Sequence, residues 1–539
     1  MKYFLFFASI LASLNGFAQS HSVSGRIVDA STNEPLPMAS IQIENSQSGT
    51  VTDLSGYFEI RNIKEDKVKL LFSFIGYKPG FIECDFTKNT YKDIRISLSP
   101  DALALDEIVV VGVAQGQVKA LIDQQNAENI MNIVSYEQIE QFPDLNAAEA
   151  MQRIPGVTLQ REQGEGKFIQ LRGTPPELTT FNVNGEQIPS PEGDVRYVGM
   201  DIISADQVEF IEISKVLTPD LDADGIGGSV NIITKKAQSE IPELRLTASG
   251  GYNNLRGTSN SNLQFSFGQR KGKIGFHLNA SYYVNNTGSD NLEFKYNKGP
   301  FWGDDTSGKD NYHLMYKEMQ LRHYDIQKKR TGLSATIDYN LNNRTSFYIR
   351  GMYNSYEDDQ VRRRKIYELE DAITMDYYLY GGVEHDVKSR TKKQNVNTLN
   401  VGGLHKGSRI EIDFEASLAM ATEDVPNRLE SGFENPGQAI TIQIDRSDPD
   451  WPKAIIPDSA HYANATNYDA YEFDNLLLKE SSVRDINTSA KLNFKLPYTI
   501  SPLSSGFIKF GGKIRIKNKD RDVTAKSFKD FRHDWNQYT

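Results

Sequence analysis

One cysteine and eight scattered histidines are all the thiol and imidazole groups that 539 residues offer for binding transition metals. With Cys84 alone, no intramolecular disulfide can close and no thiolate metal cluster can form. The chain has no Gly-x-Ser-x-Gly elbow, no His-Glu-x-x-His, no His-x-x-Glu zinc pair and no phosphate-binding loop. No catalytic residue, metal ligand or cofactor is therefore expected, and the chain does not read as an enzyme. Positive charge is scarce too: 60 Lys and Arg against 71 Asp and Glu leave a net charge of −11, which argues against nucleic acid as a partner. Long apolar runs are missing after the N-terminus, and a mean hydropathy of −0.51 leaves no candidate for a membrane-crossing helix. A membrane β-barrel stays open, because its strands meet lipid only at every second residue.

The N-terminus reads as a secretory signal. Lys2 supplies the positive region, residues 3–14 a short apolar run, and Gly16-Phe17-Ala18 the small residues that precede cleavage, placed near Ala18. The apolar run is too short for an anchor to span comfortably, and no cysteine stands at the expected cleavage site to carry a lipid.

From about residue 241 onward, polar and apolar residues alternate. In residues 408–420, Ile410, Ile412, Phe414, Ala416, Leu418 and Met420 fall on one face. Arg409, Glu411, Asp413, Glu415 and Ser417 fall on the other. Residues 273–285, 331–341, 486–496 and 508–516 repeat the pattern. That period of two suits a strand with lipid on one side and a wet lumen on the other. Between these strands, short links at 269–272, 341–344 and 406–407 alternate with long ones at 286–329, 357–389 and 422–481, which read as external loops. The expected fold is mainly β: a transmembrane antiparallel barrel, with a soluble β domain carrying decorated loops as the alternative.

Three parts precede it. "SVSGRIVDA", "ASIQIEN", "VKLLFSFIGY" and "YKDIRISLSP" read as strands of a small sandwich, and "GTVTDLSGYFEI" as a hairpin turning at Asp53 to Gly56. Next, "LDEIVVVG" is a β-branched strand in a linker, suited to pairing with a partner's sheet edge; a further strand of the sandwich is the alternative. Residues 126–236 then read as α+β, with Ser135 and Asn146 capping short helices and Asn184-Gly185 turning a hairpin.

These segments carry a resemblance. "GRIVDASTNEPLPMASIQI" with "FSFIGYKP" resembles the carboxypeptidase-regulatory-like domain, a prealbumin-like β-sandwich without chemistry of its own. "QFPDLNAAEAMQRIPGVTLQRE", "GKFIQLRGTPPELTTFNVNGEQIPS" and "VEFIEISKVLTPDLDADGIGGSVNIITKK" resemble the plug domain of Bacteroidetes-type TonB-dependent outer-membrane receptors. The resemblance implies an α+β plug within the barrel and makes Asp106, Glu107, Ile108, Val109, Val110, Val111 and Gly112 the TonB box. It divides the chain into a signal peptide at 1–18, sandwich at 19–99, linker at 100–125, plug at 126–237 and partial barrel at 238–539. The implied activity is import of a scarce solute, oligosaccharide slightly before siderophore, driven by the proton gradient through a TonB-type energy-coupling protein. Outer-membrane lipid and a small-molecule or oligosaccharide ligand are the other expected partners, and a surface lipoprotein is kept as a candidate. An adhesin or structural surface barrel without transport is the alternative function.

Asp220, Asp222, Asp224 and Gly225 match half of a calcium loop, but its twelfth position is Asn231 rather than a bidentate glutamate, so a glycine-rich turn near the barrel wall is expected instead. The run Arg362 to Lys365 is expected in a solvated loop, with lipopolysaccharide phosphate as its functional alternative. His277 is expected on the lumen face. Trp302, Trp451, Tyr462, Tyr468, Tyr471 and Phe473, set among Asp and Asn, are candidates for ligand contact, since flat rings beside polar groups suit sugars. The alternation yields roughly nine strands; the resembled barrels have about twenty-two. The final "DWNQYT" lacks the aromatic-terminated last strand of such barrels, so the expectation is a chain that continues.

Overall fold

The computed structural model describes residues 21–99 and 115–529, apart from 31–34, 45, 47–48, 54, 75–76, 126, 143, 145, 302–312, 408, 436–439 and 502–503. The signal sequence, the tract Asp106 to Gly112 and Trp302 lie outside the described residues. The chain forms two compact units.

The first unit holds the N-terminal sandwich. Strand β1 (His21–Asp29) pairs antiparallel with β4 (Tyr57–Ile63) and parallel with β7 (Tyr91–Leu98). The second sheet runs β3 (Gly49–Val51), β2 (Ser40–Ile43), β5 (Lys67–Ser73), β6 (Gly80–Asp85). Alternate residues meet in a core of Val23, Ile27, Ile41, Phe58, Leu70, Phe72 and Cys84. The expected hairpin at Asp53 to Gly56 is corrected. The turn forms, with Gly56 at φ +72° and the Asp53 carboxylate accepting from the Ser55 and Tyr57 amides at 2.8 and 2.9 Å. It carries the chain from one sheet to the other, however, because β3 pairs β2 and β4 pairs β1. A turn signal specifies a reversal, not which strand the chain then joins.

Helix α1 (Gln115–Gln125), β8 (Met131–Ser135) and α2 (Tyr136–Glu140) lead into the plug. In the second unit, α3 (Ala147–Met151) starts where Asn146 Oδ1 accepts from the Glu149 amide at 3.0 Å. Strands β9 (Val157–Glu162) and β10 (Glu165–Leu171) form a hairpin whose turn residues, Gln163 and Gly164, both take positive φ. That geometry matches the right-handed twist of the strands. The Asn184-Gly185 turn does the same between β11 (Thr179–Val183) and β12 (Glu186–Gln187). Strand β14 (Gly228–Thr234) lies between β11, parallel, and β13 (Val208–Ser214), antiparallel. Val183, Ile211, Ile213, Val230 and Ile232 are buried around this sheet.

The barrel sheet runs in chain order through β15 (Glu243–Asn253), β16 (Thr258–Lys271), β17 (Ile274–Gly299), β18 (His313–Asn342), β19 (Thr345–Thr374), β20 (Tyr377–Lys406) and β21 (Glu411–Glu434). An excursion carries β22 (Ile442–Asp445), β23 (Lys453–Ile455) and helix α4 (Ser459–Thr466). The path then resumes at β24 (Glu472–Ser501) and β25 (Ser504–Lys529), making nine strands on the main path among the described residues. The burial is inside out. Leu418 is 48% and Phe414 42% exposed, while Glu415 between them in register is 3% exposed. Asn279, Asn354 and Asn400 are buried as well. Apolar residues facing outward and polar ones facing inward are what lipid outside and a wet lumen inside require.

The three long loops are corrected. β17 and β18 stay paired out to Gly299 and His313, and β19 and β20 out to Thr374 and Tyr377. Segments 286–299, 313–329 and 357–389 are therefore hairpin, not loop, and 422–481 contains the end of β21, a small β-pair and α4. Crossing the hydrocarbon takes about 9–11 residues, whereas β18, β19 and β20 have 30 each. Beyond the lipid both faces can be polar, so the apolar alternation ends while the backbone ladder continues.

Candidate functional site

The β9–β10 turn of the plug meets the barrel wall. Glu165 pairs with Arg330, lies 3.3 Å from Lys328 Nζ, and accepts from Asn285 Nδ2 at 2.8 Å. Burial opposes ionisation of Glu165, but Arg330 and Lys328 overrule it and hold the carboxyl down at about 2. Arg330 also donates Nε to the Asp201 carbonyl at 2.7 Å and lies between the rings of Tyr283 and Tyr356, 5.3 and 5.2 Å from their centroids. Nearby, Lys167 bridges Glu162 and Glu192 at 2.7 and 2.9 Å, and Lys392 of the barrel reaches Glu192 at 3.5 Å. Burial again works against the Glu192 charge, and Lys392 and Lys167 prevail, bringing it to about 2.

A second seam joins plug to wall. Glu186 accepts from Ser489 Oγ at 2.6 Å and pairs with Lys513 at 2.9 Å, and Asp222 pairs with Arg515. The acidic tract that resembles half a calcium loop is thus a wall contact, as the turn reading expected. Gly332 lets the plug approach closely, since a Cβ there would lie 2.3 Å from Gln207 Nε2. These contacts are ion pairs and hydrogen bonds, groups that water can also satisfy.

Toward the hairpin tips, the lumen face carries two layers of charge. The register sets Arg322 opposite Arg364, Arg362 opposite Lys388, and Arg390 opposite Arg428. Nearer the tips, Glu318 faces Glu368 and Glu384 faces Glu434. Where the β17–β18 and β19–β20 hairpins diverge, a cavity of about 540 Å³ is lined by Asn297, Phe301, Tyr316, Glu318, Glu368 and Glu370, among others. The basic run is corrected here: Arg362 to Lys365 belongs to β19, with Arg362 and Arg364 both on Asp386 at 3.1 and 2.5 Å, and Arg363 on Asp325 at 2.7 Å. Four consecutive cations suggested a solvated segment, but the three arginines reach carboxylates on neighbouring strands, and Lys365 lies over the Tyr367 ring.

The aromatic candidates separate. Trp451 lines a cavity of about 500 Å³ with His323, Lys365 and His385. Tyr468 and Tyr471 gather on His385, at 5.6 and 5.1 Å between ring centroids. Tyr471 also donates its hydroxyl to the Ala465 carbonyl at 2.9 Å, which ties it to α4. Phe473 packs edge-on against Phe433, and Tyr462 is exposed. His277 is buried on the lumen face, 3.2 Å from Ser266 Oγ. Sequence reading missed Arg330 and Lys328. The run Lys328-Lys329-Arg330 was a usable signal: in a strand its first and third residues share a face, and Lys329 turns away to Glu357 at 2.8 Å.

Comparison with known proteins agrees with this architecture. Residues 23–110 match the CarboxypepD_reg-like domain and residues 123–229 the TonB-dependent Receptor Plug Domain. TonB-dependent receptor P3 of Formosa agariphila is 25% identical over 265 residues, 48% of this chain and 25% of that protein. TonB-dependent receptor SusC of Bacteroides thetaiotaomicron is 24% identical over 276 residues, 51% of this chain and 23% of that one. The chain spans about a quarter of the length of these curated relatives. The ferric citrate transporter FecA in its unliganded form aligns at 12% identity and a TM-score of 0.29, covering 78% of this chain and 82% of that one, too loosely to place any residue. Inside-out strands around a buried plug define an outer-membrane β-barrel receptor. The chain carries a CarboxypepD_reg-like domain ahead of a TonB-dependent receptor plug domain, and the relatives it resembles are Bacteroidetes-type TonB-dependent receptors rather than enzymes.

Proposed function

We propose that this receptor imports a scarce solute across the outer membrane, using the proton gradient through a TonB-type partner. The observation that carries this reading is the seating of the plug against the wall. A lumen blocked by a domain held through Glu165, Arg330 and Lys328 passes a solute only if work is done on that domain. The tract Asp106 to Gly112 is the proposed handle, captured by strand pairing, with domain boundaries as the sequence suggests. An oligosaccharide is favoured over a siderophore because the cleft between the hairpin tips combines Phe301 and Tyr316 with Glu318, Glu368 and Glu370, rings beside hydroxyl acceptors. A surface lipoprotein is a further proposed partner.

Val110→Pro removes a backbone donor from the handle and is expected to abolish growth on the imported solute while leaving the receptor in the membrane. Growth at the wild-type rate would rule out the assigned handle.

A further inference from the structure

The lumen belt of β18–β21 is arranged against its own stability. Like charges directly opposite on neighbouring strands repel, yet the register holds three such pairs: Arg322 with Arg364, Arg362 with Lys388, and Arg390 with Arg428. Against these six cations the wall supplies four paired carboxylates. Glu293 pairs with Arg322, Asp358 with Arg390 at 2.7 Å, Asp386 serves both Arg362 and Arg364, and Glu430 serves both Lys388 and Arg428 at 3.2 and 2.5 Å. The six cationic side chains are only 13–29% exposed, so they are partly desolvated yet still reachable from the lumen.

We infer that this belt binds the oxyanion groups of the imported solute, so that the solute is acidic, bearing carboxylate or sulfate, rather than neutral. The inference rests on the import reading above and names the substrate class. Planar guanidinium forks match carboxylate and sulfate oxygens two at a time, which gives both strength and orientation. The belt borders the plug, where Glu162 is in the field of Lys392 and Arg390. The carboxylate pairs nearer the tips are acceptors and suit hydroxyl groups. An acidic oligosaccharide carries both kinds of group. A purely structural role for the belt would be met better by one cation per carboxylate.

The test is calorimetric titration of the purified receptor with three hexasaccharides: a polyuronate, a sulfated glycan and a neutral glucan. Either acidic probe is expected to bind at least tenfold more tightly than the neutral one, with affinity falling as salt rises. Arg364→Gln and Arg390→Gln should each weaken acidic binding about tenfold, and Arg364→Lys by less. Asp386→Asn, which frees two guanidinium groups, should tighten it severalfold, an effect that loss of a structural ion pair would not produce. Which acidic probe wins separates carboxylate from sulfate. Equal binding of neutral and acidic probes, no binding of either acidic probe, or unchanged affinity in the arginine variants would overturn the inference. Uptake that still depends on Val110 in that case would leave the import reading standing.

Discussion

The N-terminal sandwich and the barrel sheet are written in the same alternating code and fold it in opposite senses. In the sandwich, Val23, Ile27, Phe58 and Phe72 turn inward and are fully buried. In the barrel, Leu333, Ile349, Leu399 and Leu418 turn outward, while Asn279, Asn354, Asn400 and Glu415 are buried. The solvent beyond each sheet decides which face is the inner one. Period two identifies a strand equally well in both regions and says nothing about which face is dry.

The sharpest way to break the comparison is to spoil each interior. Phe58→Ala opens a cavity in the sandwich and should cost about 3–5 kcal/mol. Cys84, the one thiol, reports on it: burial pushes its pKa up to about 11, so it should resist alkylation at pH 8 in the native receptor and become reactive in the variant. Fast labelling of the native protein would contradict the packed sandwich core.

The barrel's interior fails electrostatically instead. Glu165→Gln leaves Arg330 buried without its counter-charge and should weaken plug seating by about 3 kcal/mol. Protease sensitivity of the plug at graded urea measures this. The same pair fixes a pH dependence. Because the Glu165 carboxyl is held below its ordinary value of 4.5, at about 2, its contribution is complete above pH 4.5 and disappears as pH falls toward 2. The wild-type plug should loosen across that window, and Glu165→Gln should flatten the change. A profile identical in the two proteins would remove Glu165 from the latch.

On the outer face, Leu418→Lys should destabilise the barrel by about 2–4 kcal/mol if the residue meets the middle of the bilayer, read from unfolding in lipid vesicles. The smallest effect is expected outside the lipid. Arg363→Gln removes the exposed pair with Asp325 and should change stability by less than about 1 kcal/mol. A large loss there would mean that the long hairpins depend on their charges more than on their backbone ladders.

Much of the fold was legible. The turns at Asn184-Gly185 and the cap at Asn146 are chemistry of adjacent residues, and they formed where expected. The apolar stripe of Phe414, Ala416 and Leu418 was equally plain. The strand ends were not legible. Residues 357–374 have no apolar stripe and still pair along their length, because ladder bonds need only a neighbouring strand. The site was less legible still. Arg362 and Arg364 looked like part of a solvated run, and Glu165 like one acid among many in the plug.

By itself, then, the sequence determined the order of sandwich, plug and barrel strands, and the existence of its strands and turns. Each depends on residues close together along the chain. Only the tertiary structure decided which face holds the lumen, that Glu165 meets Arg330 165 positions later, and that Arg322 faces Arg364 and Arg390 faces Arg428 across the wall. Those outcomes depend on strand register, and register is set by pairing between distant segments. A shift of one residue would turn every one of these cations out of the lumen.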